Sequence, residues 1–371
     1  MNIYNLRTPS FLLDLDILKT NILHTQSACN KYGKQLWPMI KTHKSVQIAA
    51  MQEKAGATGF LCGTLDECEA LCAAGHKKIM YAYPVASRES ILRVINLAQK
   101  CDFYIRLDDL NSARIINEIA ISENTTINYT VIVDCGLHRF GMPPKQVVAF
   151  VEAMQNFSSL KFCGISSHSG EVYAASSAEE VPYYARKESE SIAAATAALQ
   201  QAGYHIEIVS TGSTPTFALT VADETINIYH PGNYVFYDCI QLSNGTANED
   251  MCALTVLSTI ISHPSGDLFI CDAGAKCLGL DQGAHGNTSI VGYGRVKKHP
   301  EIIVASLSEE VGKLKIVDKT ELKIGDKIEI IPNHSCSAAN LSNYYVITQN
   351  NDIIGSMEVS ARSNAQNPII Y

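Results

Sequence analysis

Gln35-Leu36-Trp37-Pro38-Met39-Ile40-Lys41-Thr42-His43-Lys44-Ser45 is the stretch whose reading decides the fold. Residues 35–40 read as a short buried strand, and a helical pattern starts at Ser45. Lys41 therefore stands at the carboxyl end of a strand, at a strand-to-helix junction. In a parallel α/β barrel this is the face on which chemistry is done. Burial disfavours the charge of an amine held there, and the neutral amine attacks carbonyls. Taken alone, the stretch reads as two solvated lysines at a helix start, although cations are mildly disfavoured at that end of a helix. The rest of the chain decides between the two.

Outward from this stretch a rhythm sets in. Residues 10–18 look like an entry strand passing into a helix. Apolar runs then recur at 35–40, 59–62, 78–83, 102–107, 128–134, 161–166, 205–209 and 227–229. Helical patterns lie between them at 46–55, 65–74, 90–99, 112–121, 145–155 and 179–202, with a short one from Pro215. Such alternation implies a parallel sheet with helical crossovers. Eight units over about 230 residues fit a closed (β/α)8 barrel of the TIM type. An open doubly wound sheet is the alternative, but no GxGxxG follows the first strand. After Asp238 helical periodicity fades. β-rich runs at 252–261, 268–271, 302–306, 327–331 and 344–348 suggest an antiparallel β domain, and residues 280–295 read as a long loop. The expected division is a barrel over 10–245 and a β domain over 246–371 that also takes in residues 1–9.

Composition narrows the partners. Of 371 residues, 46% are hydrophobic, enough for a large core, and the formal net charge is −8 with no basic run. That argues against nucleic acid and anionic membranes. No apolar run approaches the roughly eighteen residues that span a bilayer, and there is no secretory h-region. The twelve cysteines lack the spacing of a disulfide framework, so a reducing cytoplasm is expected.

Polar and glycine residues gather at the expected carboxyl ends of the strands. Thr211-Gly212-Ser213-Thr214 precedes the helix marked by Pro215, and Gly232-Asn233 follows the eighth strand. Barrels commonly bind phosphate at these two loops through backbone N–H groups and hydroxyls. Each loop alone reads as an ordinary capped turn; the pair at matching junctions favours a phosphate site. An amine on the first strand with a phosphate site on the last two suggests a phosphorylated carbonyl cofactor, and pyridoxal 5′-phosphate fits. Further on, His334-Ser335-Cys336 stands out. If it is extended, the imidazole and thiolate point to the same side, a pair suited to Zn2+ in an open catalytic site. Without further context a bare His-x-Cys is better read as a buried cysteine near a turn histidine.

These pieces together resemble the D-serine dehydratase / D-threonine aldolase family, pyridoxal-phosphate enzymes with the alanine-racemase-like barrel of fold type III. The matching residues run nearly end to end. They are Thr8-Pro9-Ser10, Lys41-Thr42-His43-Lys44, Asp134-x-Gly136 with Arg139-x-Gly141, and His168-x-Gly170 with Tyr173. Thr211-Gly212, Pro231-Gly232-Asn233-Tyr234, Asp272-Ala273-Gly274 with Lys276, Gly325-Asp326 and Pro332-Asn333-His334-x-Cys336 complete the set. The resemblance implies a homodimer in which Lys41, and not Lys44, bonds to the cofactor aldehyde. Tyr173, Thr211, Gly212, Gly232 and Asn233 would hold the cofactor, with Arg139 near its ring hydroxyl. His334 and Cys336 would bind a divalent cation, Zn2+ or another.

Two family chemistries then compete. Dehydration of a D-3-hydroxy amino acid to a 2-oxo acid and ammonia uses Lys41 as base for the Cα proton and a Lewis-acidic metal on the hydroxyl. Retro-aldol cleavage to glycine and an aldehyde needs a base for the hydroxyl proton. Family members often carry a histidine for it where this chain has Glu171, the candidate second catalytic residue. With Cys336 in place of Asp, that exchange leans toward the dehydratase. Trp37 and Met39 replace the Arg and His often seen before the lysine, and Val311 stands where many relatives have histidine. An amino-acid racemase and a non-catalytic cofactor-binding regulator are the remaining readings; the second domain argues against the last.

Overall fold

The computed structural model describes residues 1–283 and 287–362. They form two compact units. One comprises Met1–His24, Tyr173–Val181 and Asn233–Ser360; the other comprises Thr25–Val172, Pro182–Gly232 and the segment from Ala361.

The chain opens with β1 (Ser10–Asp14) and α1 (Leu15–Lys31), then alternates. The strands are β2 (Gln35–Leu36), β3 (Phe60–Cys62), β4 (Lys78–Tyr81), β5 (Asp102–Leu107), β6 (Ile127–Ile132), β7 (Leu160–Ser166), β8 (Ile208–Thr211) and β9 (Ile228–Tyr229). Between them run α2 (Val46–Ala55), α3 (Leu65–Ala73), α4 (Arg88–Ala98), α5 (Leu110–Ser122), α6 (Val147–Met154), α7 (Val181–Gln201) and α8 (Thr214–Thr220). Side-chain caps fix several helix starts at strand ends. Thr64, Ser87 and Asp109 accept the N–H of Glu67, Ser90 and Ser112.

Among the described residues β2 to β9 make an eight-stranded sheet in the order β2-β9-β8-β7-β6-β5-β4-β3, parallel throughout. The run at 35–40 is a regular strand only at Gln35–Leu36, because Pro38 has no N–H to give and Ile40–Thr42 winds into a 3-10 turn. It still closes the barrel. Pro38 accepts the N–H of Leu61 at 3.0 Å, and Met39 bridges Leu61 in parallel. Side chains alternate along the strands. Phe60, Ile79, Phe103 and Ile105 belong to the large cluster beneath the helices; Leu61, Met80 and Tyr104 join Trp37 and Met39 in the inner layer. Trp37 and Met39 are thus core residues, and the Trp37 ring lies 5.6 Å from that of Tyr104.

The first unit is built on a nine-stranded sheet ordered β11-β14-β13-β12-β15-β10-β1-β16-β17. Its later strands are β10 (Leu254–Ser265), β11 (Leu268–Cys271), β12 (Arg295–Val296), β13 (Ile302–Leu307), β14 (Gly312–Ile316), β15 (Lys327–Ile331), β16 (Tyr344–Gln349) and β17 (Asp352–Glu358). The sheet is antiparallel except that β1 pairs in parallel with β16. The entry strand expected at 10–18 therefore pairs in this sheet and not in the barrel. Phe11, Leu12 and Leu13 are all buried, so β1 needs a neighbour on each edge and cover on each face, which β10 and β16 help supply. Val311 sits in the turn between β13 and β14, where its carbonyl accepts the N–H of Ser308. All twelve cysteines are free thiols, and no helix of the described residues is long and apolar enough to cross a membrane.

Candidate active site

The two lysines of the opening stretch part company. Lys44 is buried at a left-handed φ of 47°, and its ammonium lies 3.1 Å from the Glu67 carboxylate. Glu67 is itself fully buried. Its other oxygen accepts the N–H of Gly63 at 2.6 Å, and its own N–H donates to Thr64. Burial pushes the Glu67 carboxyl up, against the opposing pull of Lys44 and the Gly63 N–H. Lys41 has no hydrogen bond or ion pair to its amine among the described residues. Its stem packs beside Gly63, where an added Cβ would stand 3.1 Å from the Lys41 Cβ. The free amine is thus Lys41 because Lys44 is committed to Glu67.

The loop after β6 is knitted by Asp134. Its carboxylate accepts the N–H groups of Gly136 at 2.9 Å and His138 at 3.1 Å and meets the His138 ring at 2.7 Å. Burial opposes the Asp134 charge, but these donors hold the carboxyl below its usual range. Arg139, next on the loop, is exposed and stacks on Tyr83 and Phe140, 5.7 and 5.4 Å from their ring centres. Glu171 lies on the 3-10 turn Gly170–Ala174. Neither of its oxygens has a hydrogen-bond partner, and burial pushes its carboxyl up despite the nearby Lys187. The Lys187 amine and a Glu171 oxygen converge over Gly136. Both would crowd a Cβ on that residue, and its φ of +133° is one that side chains rarely adopt.

The β8 and β9 junctions face each other closely. Gly212 has φ +141°, and an added Cβ would lie 3.0 Å from the His230 nitrogen. One on Gly232 would meet the Met39 carbonyl at 2.9 Å. From α7, fully buried Glu188 reaches under this loop and accepts the Thr211 hydroxyl at 2.5 Å. Burial drives the Glu188 carboxyl up to about 7, opposed by hydrogen bonds from Thr211 and Thr216. His168 bonds the Gly212 carbonyl at 3.1 Å, and burial with the Lys41 charge pushes it down to about 3. His230 bonds the Trp37 carbonyl at 3.0 Å through Nδ1, so that nitrogen carries the proton. Burial and Arg106 hold His230 at about 3.

Several polar atoms at these strand ends are sealed from solvent with no partner in the chain: Ser210 Oγ, His230 Nε2 and Arg106 Nε. Buried polar groups are ordinarily satisfied. An unpaired amine, a loop pair built around Gly212 and Gly232, and orphaned polar atoms at the same rim fit a bound aldehyde–phosphate cofactor.

In the first unit, Asn233 and the His334–Cys336 pair share a hub. Buried Asp238 accepts the Asn233 amide at 2.7 Å and the Ser335 N–H at 2.9 Å, and the Asn233 amide also reaches Cys336 Sγ at 3.8 Å. The extended geometry expected for 334–336 is not found. Ser335–Ala339 is a short helix with His334 at its N-cap, because Asp238 draws the Ser335 N–H inward. His334 and Cys336 nevertheless hydrogen-bond each other. Burial would lower His334, but Asp281, 3.4 Å from Nδ1, and Cys336 hold it well above its usual value. Asn333 fastens the long loop by donating to the carbonyls of Asp281 and Gly292. Among the described residues no group of three His, Cys, Asp or Glu gathers to hold a cation. The donor set is an imidazole and a thiol, which fits only an open site completed from outside the chain. Tyr173 lies on the turn that carries Glu171.

Of the expected residues, Lys41, Arg139, Glu171, Thr211, Gly212 and Gly232 thus belong to the barrel unit, and Tyr173, Asn233, His334 and Cys336 to the other. Glu67, Glu188, Asp238 and Asp281 were missed, and Arg106, at the end of its strand in the sequence pattern, was given no role. Glu67 had a signal, since Thr64-x-x-Glu67 is a capping-box spacing. Asp238 sits beside the quoted Pro231–Tyr234 motif.

Comparison with known proteins bears on the whole chain. Residues 13–239 match the model for the alanine racemase N-terminal domain, and residues 253–348 match a putative serine dehydratase domain. The chain is 30% identical to D-serine dehydratase of Dictyostelium discoideum over 96% of its own length and 97% of that protein's. It is 28% identical to D-threo-3-hydroxyaspartate dehydratase of Delftia sp. (strain HT23), covering 90% and 91%. The crystal structure of D-threonine aldolase from Filomicrobium marinum superposes with a TM-score of 0.88 at 25% identity, covering 97% and 96%. The chain therefore belongs to the fold-type-III pyridoxal-phosphate family that joins an alanine racemase N-terminal barrel to a serine dehydratase domain, a family of lyases that includes dehydratases and aldolases of D-hydroxy amino acids.

Proposed function

We propose that this chain eliminates water from a D-3-hydroxy amino acid to give a 2-oxo acid and ammonia. The observation that carries the reading is the division of labour between Lys41, whose amine is left unpaired, and Lys44, which is locked to Glu67. When bound, pyridoxal phosphate supplies an aldehyde for that amine and an electron sink for charge at Cα. Lys41 would be the amine that holds the aldehyde, and its unpaired amine is the group positioned to take the Cα proton of a substrate. Thr211, Gly212, Gly232 and Asn233 would hold the phosphate, and Arg139 and Tyr173 would hold the ring. His334 and Cys336 would hold a divalent cation, whose contribution there would be Lewis acidity toward the substrate hydroxyl. Glu171, whose carboxyl burial pushes up and whose oxygens have no side-chain partner, would be the acid for the leaving group.

The same Glu171 supports a second reading, retro-aldol cleavage, in which its carboxylate takes the hydroxyl proton instead. The test is a parallel screen of D-serine, D-threonine and D-3-hydroxyaspartate with pyridoxal phosphate and Zn2+. Ammonia with a 2-oxo acid supports dehydration. Glycine with an aldehyde transfers the reading to the aldolase, and inversion without bond cleavage to a racemase. Turnover that survives a chelator removes the metal from the account. The homodimer belongs to the same reading, and light scattering giving a monomer would reject it.

A further inference from the structure

Arg106 lies at the carboxyl end of β5. Ile105 and Leu107 on either side of it face the helices, so Arg106 points inward like Tyr104, two residues before it. Inward and two residues past Leu61, Met80 and Tyr104 come Gly63, Ala82 and Arg106, and Gly63 packs against Lys41. Arg106 therefore stands on the rung of the barrel mouth that carries Lys41.

Arg106 is 4% exposed. It has five N–H hydrogens to place. The structure places one, from Nη2 to the Ser167 carbonyl at 3.3 Å, and Nε is sealed without a partner. Among the described residues no carboxylate pairs with it. The groups facing it are the Tyr83 phenol, the Arg139 guanidinium and the rings of His168 and His230, none of them a carboxylate. An arginine kept only for packing is normally paired and saturated with acceptors. The phosphate-type loops lie after β8 and β9, on other strands. What the Nη groups of a single guanidinium fit is a carboxylate or one phenolate oxygen.

We propose that Arg106 is an anion-binding residue of the barrel mouth, whose guanidinium receives a singly charged oxygen group, either a carboxylate of the substrate or the ring oxygen of the cofactor. The proposal rests on the function proposed above only for the source of the anion. In the first case it sets specificity for an acidic D-3-hydroxy amino acid. In the second it sets the electronics of the cofactor ring.

The test compares wild type with Arg106→Met, which removes the charge at similar volume, and Arg106→Lys, which keeps it. One arm titrates cofactor-free protein with pyridoxal phosphate and follows the absorbance of the bound cofactor against pH. The other measures malonate binding by calorimetry and the ratio of kcat/KM for D-3-hydroxyaspartate to that for D-serine. Loss of a charge-assisted pair weakens one arm by about 10- to 100-fold, with partial recovery in the lysine variant. A cofactor source raises the Kd for pyridoxal phosphate and moves the spectral transition to higher pH, since a nearby cation has been removed. A substrate source leaves both unchanged and lowers malonate affinity and the acidic-to-neutral ratio. Both arms within threefold of wild type in a folded Arg106→Met protein overturn the proposal. If that variant does not fold, Arg106→Gln, which keeps the bond to Ser167, takes its place under the same threshold. If wild type takes up no pyridoxal phosphate, the proposed function fails. Malonate binding to the unloaded proteins then decides Arg106 by itself: weaker in the variant supports it, equal overturns it.

Discussion

In the function proposed above, two strand ends carry the residues on which the chemistry would turn, and they solve opposite problems. At the end of β2, the 3-10 turn Ile40–Thr42 presents Lys41 with its amine unpaired, while buried Glu67 engages Lys44. At the end of β15, the imidazole and the thiol are tied into a network. His334 meets Asp281 and Cys336, and Asp238 holds Asn233 and Ser335. A nucleophile must be left free, because a hydrogen bond to an amine competes with its attack on a carbonyl. A cation ligand must be oriented, because its partners fix the ring nitrogen that faces the metal. The difference teaches that a missing contact and an abundance of contacts each serve as a signature of function.

The contrast at β2 is broken most severely by exchanging its lysines. Lys41→Ala lowers turnover by about 10²- to 10⁴-fold and abolishes the absorbance of covalently held cofactor. Steady-state assay and spectra check it, and a fully active variant ends the assignment. Lys44→Met acts on the fold instead. Leaving Glu67 buried and unpaired destabilises the protein by about 3–5 kcal/mol in urea unfolding, and adding Glu67→Leu recovers most of the loss. A Lys44→Met protein as stable as wild type would mean that the pair is not what commits Lys44.

Glu188 sharpens the comparison through pH. Its carboxyl titrates near 7 in the folded chain against about 4.5 in the unfolded one, so the native state binds the extra proton between those values. The stability linked to that proton is complete below pH 4.5 and is lost as pH rises through 7, by about 3 kcal/mol. Melting curves from pH 5 to 8 should show this loss in wild type and a flatter profile in Glu188→Gln; parallel profiles would count against it. The smallest effect is at β15. Asp281→Asn, which removes the carboxylate partner of His334, weakens Zn2+ binding by about 10- to 100-fold in a metal titration. Unchanged affinity would show that Asp281 does not orient the imidazole.

The barrel was legible because its strands and helices differ in period and are both long enough to show it. Asp102–Leu107 and Val46–Ala55 emerge with the expected bounds. β14 and β17 escaped notice. Gly312-Lys313-Leu314-Lys315-Ile316 alternates with lysine on its open face, and β17 is an edge strand that is mostly exposed, so neither shows an apolar run. The pairing of β1 was equally hidden, since an apolar pentapeptide does not say which sheet will bury it.

The chain's own order of residues determined the alternation, the amine at the first strand end, the glycine and hydroxyl loops at the last two, and the spacing of histidine and cysteine. These are local properties, written in side-chain period and turn chemistry. Only the tertiary structure decided which lysine stays free, that Glu67 and Glu188 are interior carboxyls, that the His334 segment turns helical, and that Arg106 is a buried cation without a counter-charge. Each of those depends on what distant segments bring within hydrogen-bond reach and on how much water they exclude, and no stretch of sequence carries that information alone.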